Sequence, residues 1–216
     1  MDPAVHLRSG SGSGVNGKFD ACVMQAVDWL AGGDGTTDAP TCAARTITRF
    51  CIRLNDSSLF AEHRDLLKPY AAKIVGTHAP ELERQRGFIA ADFAIRVAAP
   101  IWFRATGHED WAAVLEGVAP IRDVASASAA RSVANEIVSK ARAARDEAFA
   151  KRRAAAADAA AYAAADAAAD AAADADADAD AAAYARKKLL AIAGDELRAK
   201  SLECLDAMIA VKELAA

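Results

Sequence analysis

The chain has 216 residues, of which 54% are hydrophobic but only 6% aromatic, and a formal net charge of −4. That length supports one core, or one core plus an extension, and alanine inflates the hydrophobic fraction, so the core is modest. The acidic balance argues against nucleic acid as the main partner, because phosphate binding needs a basic face.

Residues 1–17 contain Ser9-Gly10-Ser11-Gly12-Ser13-Gly14, a disordered, tag- or linker-like run that is left out of the expected fold. Nothing in them resembles the apolar core of a signal peptide. Asp92 and Arg96 interrupt the most apolar window, so no membrane span is expected and a cytoplasmic location follows. In that setting Cys22, Cys42, Cys51 and Cys204, which show no CxxC spacing, read as reduced and mostly buried thiols. A zinc site from Cys22, Cys42, Cys51 and a histidine is the sharper alternative, but its ligands would sit on separate helices without a knuckle motif. No metal and no cofactor is therefore expected.

Phe19, Cys22, Val23, Ala26, Val27 and Leu30 recur at three and four residues and predict an amphipathic helix, ended by Gly32-Gly33-Asp34-Gly35. That glycine run lacks the lysine and strand context of a phosphate loop and reads as a turn. Ile47, Phe50, Cys51 and Leu54 stripe a second helix that stops at Asn55-Asp56. Ser57 or Ser58 is expected to cap a third, with Leu59, Phe60, His63, Leu66 and Leu67 facing inward. Pro69 opens another turn of helix and Gly76 closes it. Pro80 suits the start of a helix bearing Leu82, Ile89, Phe93 and Val97, and Pro100 is expected to break it. A short piece with Trp102 and Phe103 follows, then a helix with Trp111, Val114 and Leu115. Asp123 or Ser126 caps the next, long helix. No segment reads as a strand.

From Arg153 to Arg186 alanine is interrupted only by aspartate and two tyrosines. Alanine loses no side-chain entropy on entering a helix, so this stretch is strongly helical. Its four-residue spacing advances by about 40° per step, which winds Asp158, Asp166, Asp170, Asp174 and Asp178 around the helix as a polar stripe. Between Asp174 and Asp180 the spacing drops to two, leaving no dry face. A turn there is the favoured reading and gives an antiparallel hairpin, with Asp180 capping the returning helix. The competing reading is one unbroken helix of roughly 100 Å, since no Gly or Pro lies between Pro120 and Gly194. Basic residues flank the aspartates, from Lys140 to Arg153 on one side and Arg186-Lys187-Lys188 on the other. After Gly194-Asp195 a last amphipathic helix carries Leu197, Leu202, Leu205, Met208, Ile209 and Val211, apolar enough to need a partner. The expected fold is all-α. A helical head spans 18–120, a long Ala/Asp-rich segment 121–193, and a C-terminal amphipathic helix, packing back, 194–216.

Ala-Cys-Val-Met-Gln-Ala-Val from Ala21, Pro-Thr-Cys from Pro40, Asn-Asp-Ser from Asn55, Leu-Leu-Lys-Pro-Tyr from Leu66 and Val-Gly-Thr from Val75 form a distinctive order. Ala-Asp-Phe-Ala-Ile-Arg from Ala91, Pro-Ile-Trp-Phe-Arg from Pro100 and Ser-Leu-Glu-Cys-Leu-Asp-Ala-Met from Ser201 complete it. Together they resemble a group of uncharacterised bacterial and phage-type proteins with a helical head, Ala-rich repeats of varying number and a short amphipathic C-terminal helix. The resemblance covers nearly everything after Gly17. Such relatives often carry Trp and Arg in the repeats, and His-Pro where this chain has Ala39-Pro40. The repeats are also similar, in composition alone, to Ala-rich immunity-type proteins. The resemblance implies architecture and no activity.

Asp56, Asp92, Arg96 and Arg104 are charged residues within apolar segments. Asp92 and Arg96, four apart, share a helical face and are expected to pair. A compact head would draw in Asp56 and Arg104, either as a buried ionic network or as a pocket for a small anion. The four histidines show no metal or catalytic spacing. His63 is expected in the core, His78 and His108 at exposed helix starts. Tyr162, Asp166, Asp170, Asp174 and Tyr184 are the candidate interaction surface of the Ala-rich part. These features point away from an enzyme and toward a helical protein-interaction module, an immunity- or antitoxin-like partner or a scaffold, acting on a protein partner or on itself. The alternative is a small-anion or ligand-binding, or enzymatic, head with the Ala-rich segment as spacer.

Overall fold

The computed structural model describes residues 6–10, 20–163 and 171–212, without the side chains of 149 and 152–186. Among the described residues the fold is all-α except for one two-stranded parallel pair, β1 (His6–Leu7) and β2 (Asp20–Ala21). That pair corrects two expectations. A strand does form, and residues 6–10 belong to the fold. Leu7 is buried in the core cluster, the Arg8 N–H donates to the Ala21 carbonyl at 3.1 Å, and Asn55 Nδ2 donates to the Arg8 carbonyl at 2.7 Å. The Ser-Gly composition hid this, because the docking rests on backbone groups and one leucine.

α1 (Val23–Leu30) opens with a capping box in which Cys22 Sγ accepts from the Gln25 N–H and Gln25 Oε1 accepts from the Cys22 N–H. The turn after it needs glycine at Gly33: a Cβ there would stand 2.5 Å from the Asp28 carboxylate, which accepts the Gly35 N–H at 2.9 Å. α2 (Arg45–Asp56) follows. The expected third helix does not start at Ser57. Residues 57–63 form turns, a short 3-10 segment covers Arg64–Leu67, and α3 is Lys68–Ile74 with Pro69 in its first turn. His63 and Leu66, expected to face inward, are consequently exposed.

α4 (Glu83–Phe93), a π-helical turn (Ala94–Ala98) and α5 (Ala99–Ala105) form one continuous helical run. Pro100 therefore does not break the helix. Its ring would strike the Arg96 carbonyl four residues back in an α-helix, and the widened π turn removes that clash. α6 is Glu109–Glu116. α7 (Val124–Ala163) is capped by Asp123, whose Oδ1 accepts from the Ser126 N–H at 2.7 Å. α8 spans Ala171–Ala210.

α8 overturns two further expectations. Asp174–Asp180 is helical rather than a turn, and the helix runs straight through Gly194. Gly194 is buried; a Cβ on it would come within 3.2 Å of the Arg198 guanidinium, which reaches across to donate to the Leu59 carbonyl. Each of α7 and α8 has 40 residues and is about 60 Å long.

The C-terminal part of α8 packs back as expected, against α2, α4 and α5. Leu197, Leu205 and Met208 join Met24, Ile47, Phe60, Leu67 and Ile74 in one core. α6 packs on α5 and on the base of α7, burying Ala112 and Leu115, while Ile121, Ala130 and Ile137 are buried beyond it. Among the described residues no helix is long and apolar enough to cross a membrane.

Candidate functional site

Arg96 lies within the π turn. Arg96 Nη1 donates to both carboxylate oxygens of Asp92, at 3.1 and 3.2 Å, so the pair expected from the spacing is present. Asp92 Oδ1 also accepts the Ile121 N–H at 2.9 Å, which ties the α6–α7 connection to α4. The pair borders a cavity of about 470 Å³ between the π turn, residues 120–122 and α8. Lys200 and Glu203 of α8 stand on its rim, paired at 2.8 Å. Both Asp92 and Arg96 are roughly one-quarter exposed, so the pair faces the cavity and not a dry interior. Arg96 Nε is buried and has no hydrogen-bond partner. Cys204 also lines the cavity, but burial, followed by the Asp92 charge, pushes its thiol up to about 12. It stays protonated near neutrality and is no nucleophile.

Asp56 and Arg104 do not join this pair. Asp56 Oδ1 accepts from the Gly10 N–H at 2.8 Å, from Asn55 Nδ2 at 2.9 Å and from Ser9 Oγ at 3.3 Å. Burial pulls that carboxyl's pKa upward, but those three donors and Arg64 outweigh it and hold it below the usual carboxylate range. Arg104 instead pairs with Glu116 and, at 3.4 Å, with Glu109, across the α5–α6 corner. The expected four-residue network is therefore three local arrangements, set by which loop each residue lies beside.

The other predicted surface falls outside the description: the backbone of Tyr162, Asp174 and Tyr184 is helical, their side chains are not described, and Asp166 and Asp170 lie between the described parts of α7 and α8. What is described of the arm is its root. Residues 142–148, 150 and 151 of α7 are all exposed, with Glu147 and Lys151 paired at 2.7 Å. A helix buried on one side keeps a protected stripe every three to four residues, as α7 does at Ala130 and Ile137; beyond Ala141 that stripe stops.

Sequence reasoning missed two residues that shape the head. Arg86, only 2% exposed, donates to the carbonyls of Thr77 (2.8 Å), Met208 (3.2 Å) and Val211 (3.2 Å), and so holds the end of α8. Glu83 reaches the start of α2, where its carboxylate accepts the Arg45 and Thr46 N–H groups at 3.0 and 2.8 Å. The signal for Arg86 was its place on the inward stripe between Leu82 and Ile89. His108, expected to be exposed, is half-buried and stacks on Trp111 with centroids 4.0 Å apart. Among the described residues no three His, Cys, Asp or Glu side chains come together in a way that would hold a metal ion.

Compared with known proteins, the chain matches no family profile, no curated protein and no solved structure.

Proposed function

We propose that the protein is a non-enzymatic helical interaction module whose long α7–α8 arm presents a surface to a protein partner or to a second copy of the chain. The reading rests on one observation: beyond Ala141 the described side chains of α7 bury nothing, although the helix continues to Ala163. A helical stretch that buries no apolar face adds almost nothing to the stability of the head. The described exposed stretch, residues 142–148, 150 and 151, is thus unexplained by folding of the head, and contact outside the head accounts for it. Alanine suits such contact, because small side chains let another helix approach closely along the whole arm. The role fits a scaffold or an immunity-type partner, in which affinity comes from an extended face and no bond is made or broken.

The test compares the full chain with a variant lacking residues 154–185, by light scattering and by pull-down. The full chain is expected to form a defined oligomer or a stoichiometric complex. The shortened variant is expected to keep the circular dichroism and unfolding transition of the head but lose the association. A strictly monomeric, partnerless full chain would overturn the proposal, as would association that survives the deletion.

A further inference from the structure

Beside its cavity the Asp92–Arg96 pair leaves guanidinium donors that the described residues do not satisfy. Asp92 engages only Nη1 of the guanidinium, so the opposite edge, Nε and Nη2, has no acceptor among the described residues. Nε is closed to water as well, and an unsatisfied buried donor is a state that folded proteins rarely tolerate without a reason. Arg122, at the mouth of the same cavity, is exposed, and its guanidinium has no partner among the described residues. Both carboxylates of the lining are already committed, Asp92 to Arg96 and Glu203 to Lys200. Three cations against two carboxylates leave one positive charge in excess. The remaining walls, Phe93, Val97 and Ile121 among them, are apolar.

We propose that this cleft binds a small amphiphilic monocarboxylate, a reading independent of the arm. The carboxylate lies on the free edge of Arg96 and on Arg122, and the hydrocarbon body lies along Phe93, Val97 and Ile121. Two parallel N–H donors in one plane match the two oxygens of a carboxylate. A single negative charge balances the lining, whereas a dianionic phosphate would be repelled by Asp92 and Glu203. The cavity's 470 Å³ falls within the range of small-molecule sites, about 300–1,000 Å³. Because Nε is shielded, the π turn must give slightly for a ligand oxygen to reach it. Such turns recur at functional sites, and this one, Ala94–Ala98, carries Arg96 and lies just before Pro100.

The probe is sodium octanoate, titrated into the full chain by calorimetry and thermal unfolding, with octanamide and inorganic phosphate as controls. Octanoate is expected to bind saturably and raise Tm, while octanamide and phosphate do neither. Arg96→Lys keeps the charge but removes the planar fork, and is expected to weaken octanoate about tenfold or more. Arg122→Gln, at an exposed position, should weaken it several-fold without altering the fold, and it decides the matter if Arg96→Lys does not fold. Arg104→Gln, outside the cleft, should leave the affinity unchanged. Absence of saturable octanoate binding overturns the proposal. So does equal binding of octanamide or phosphate, or an affinity indifferent to the Arg96 and Arg122 substitutions.

Discussion

Replacing Glu83 tests the claim that α2 is capped by a residue from another helix. Ala44, at the N-cap position, offers no side-chain acceptor, so the first N–H groups of α2 depend on Glu83. Its carboxylate receives the Arg45 N–H at 3.0 Å, the Thr46 N–H at 2.8 Å and the Thr46 hydroxyl at 2.7 Å. Loss of an ordinary N-cap costs about 1 kcal/mol, and hydrogen bonds to a charged acceptor contribute about 1.5–3 kcal/mol. Arg45 is exposed and Thr46 half-buried, so their N–H groups regain water in a variant, which places Glu83→Ala at about 2–3 kcal/mol rather than the full sum. For a chain of this size that lowers Tm by about 5–10 °C, measurable by circular dichroism at neutral pH. The pH dependence is a second, independent readout. Burial raises the Glu83 pKa, but the Thr46 and Arg45 donors and Arg86 outweigh it and hold the carboxyl below its ordinary 4.5. The folded state therefore holds this proton less tightly than the unfolded chain, so the stabilisation is present above the unfolded pKa and is lost as pH falls through the folded one. The gap between wild type and Glu83→Ala should be constant near neutrality and shrink in acid below 4.5. A Tm drop below about 1 °C, or a gap that widens in acid, would refute the remote cap.

Asp56→Ala removes the acceptor for Ser9, Gly10 and Asn55; amide exchange at residues 6–10 should accelerate, with a stability loss of about 1–2 kcal/mol, while exchange in α8 at neutral pH stays slow. Unchanged protection at Arg8 and Gly10 would mean that Asn55 and β2 hold the segment unaided. Of the four cysteines, half-buried Cys42 should react first with a thiol reagent; Cys22, Cys51 and Cys204 are buried, burial pushes all three thiols up, and they should label only as fast as the head opens.

What was legible in the sequence follows from interactions short along the chain. The 3.6-residue stripe of Ile47, Cys51 and Leu54, the Pro69 start and Gly76 stop of α3, the Asp123 cap of α7 and the pairing of Asp92 with Arg96 each involve residues within about one turn of one another. Helix propensity likewise sums over neighbours, which is why the described Ala-rich parts, at the end of α7 and the start of α8, are helical. The sequence alone therefore determined an all-α chain with a helical head and a final helix that must find a core.

Only the tertiary structure decided what depends on groups far apart in the chain. Glu83 meets Arg45 across 38 positions, Asn55 meets Arg8 across 47, and Arg86 meets Met208 across 122. Hydrogen-bond satisfaction at such separations is a property of topology, and no local pattern encodes it. The same reason explains why Gly194 continues a helix, because Arg198 lies across it to reach Leu59, and why Asp56 and Arg104 found partners other than Asp92. Pro100 lies between the two cases: its clash with the Arg96 carbonyl is local, but a chain free to end the helix there widened it instead, since α5 and the π turn both pack on α8.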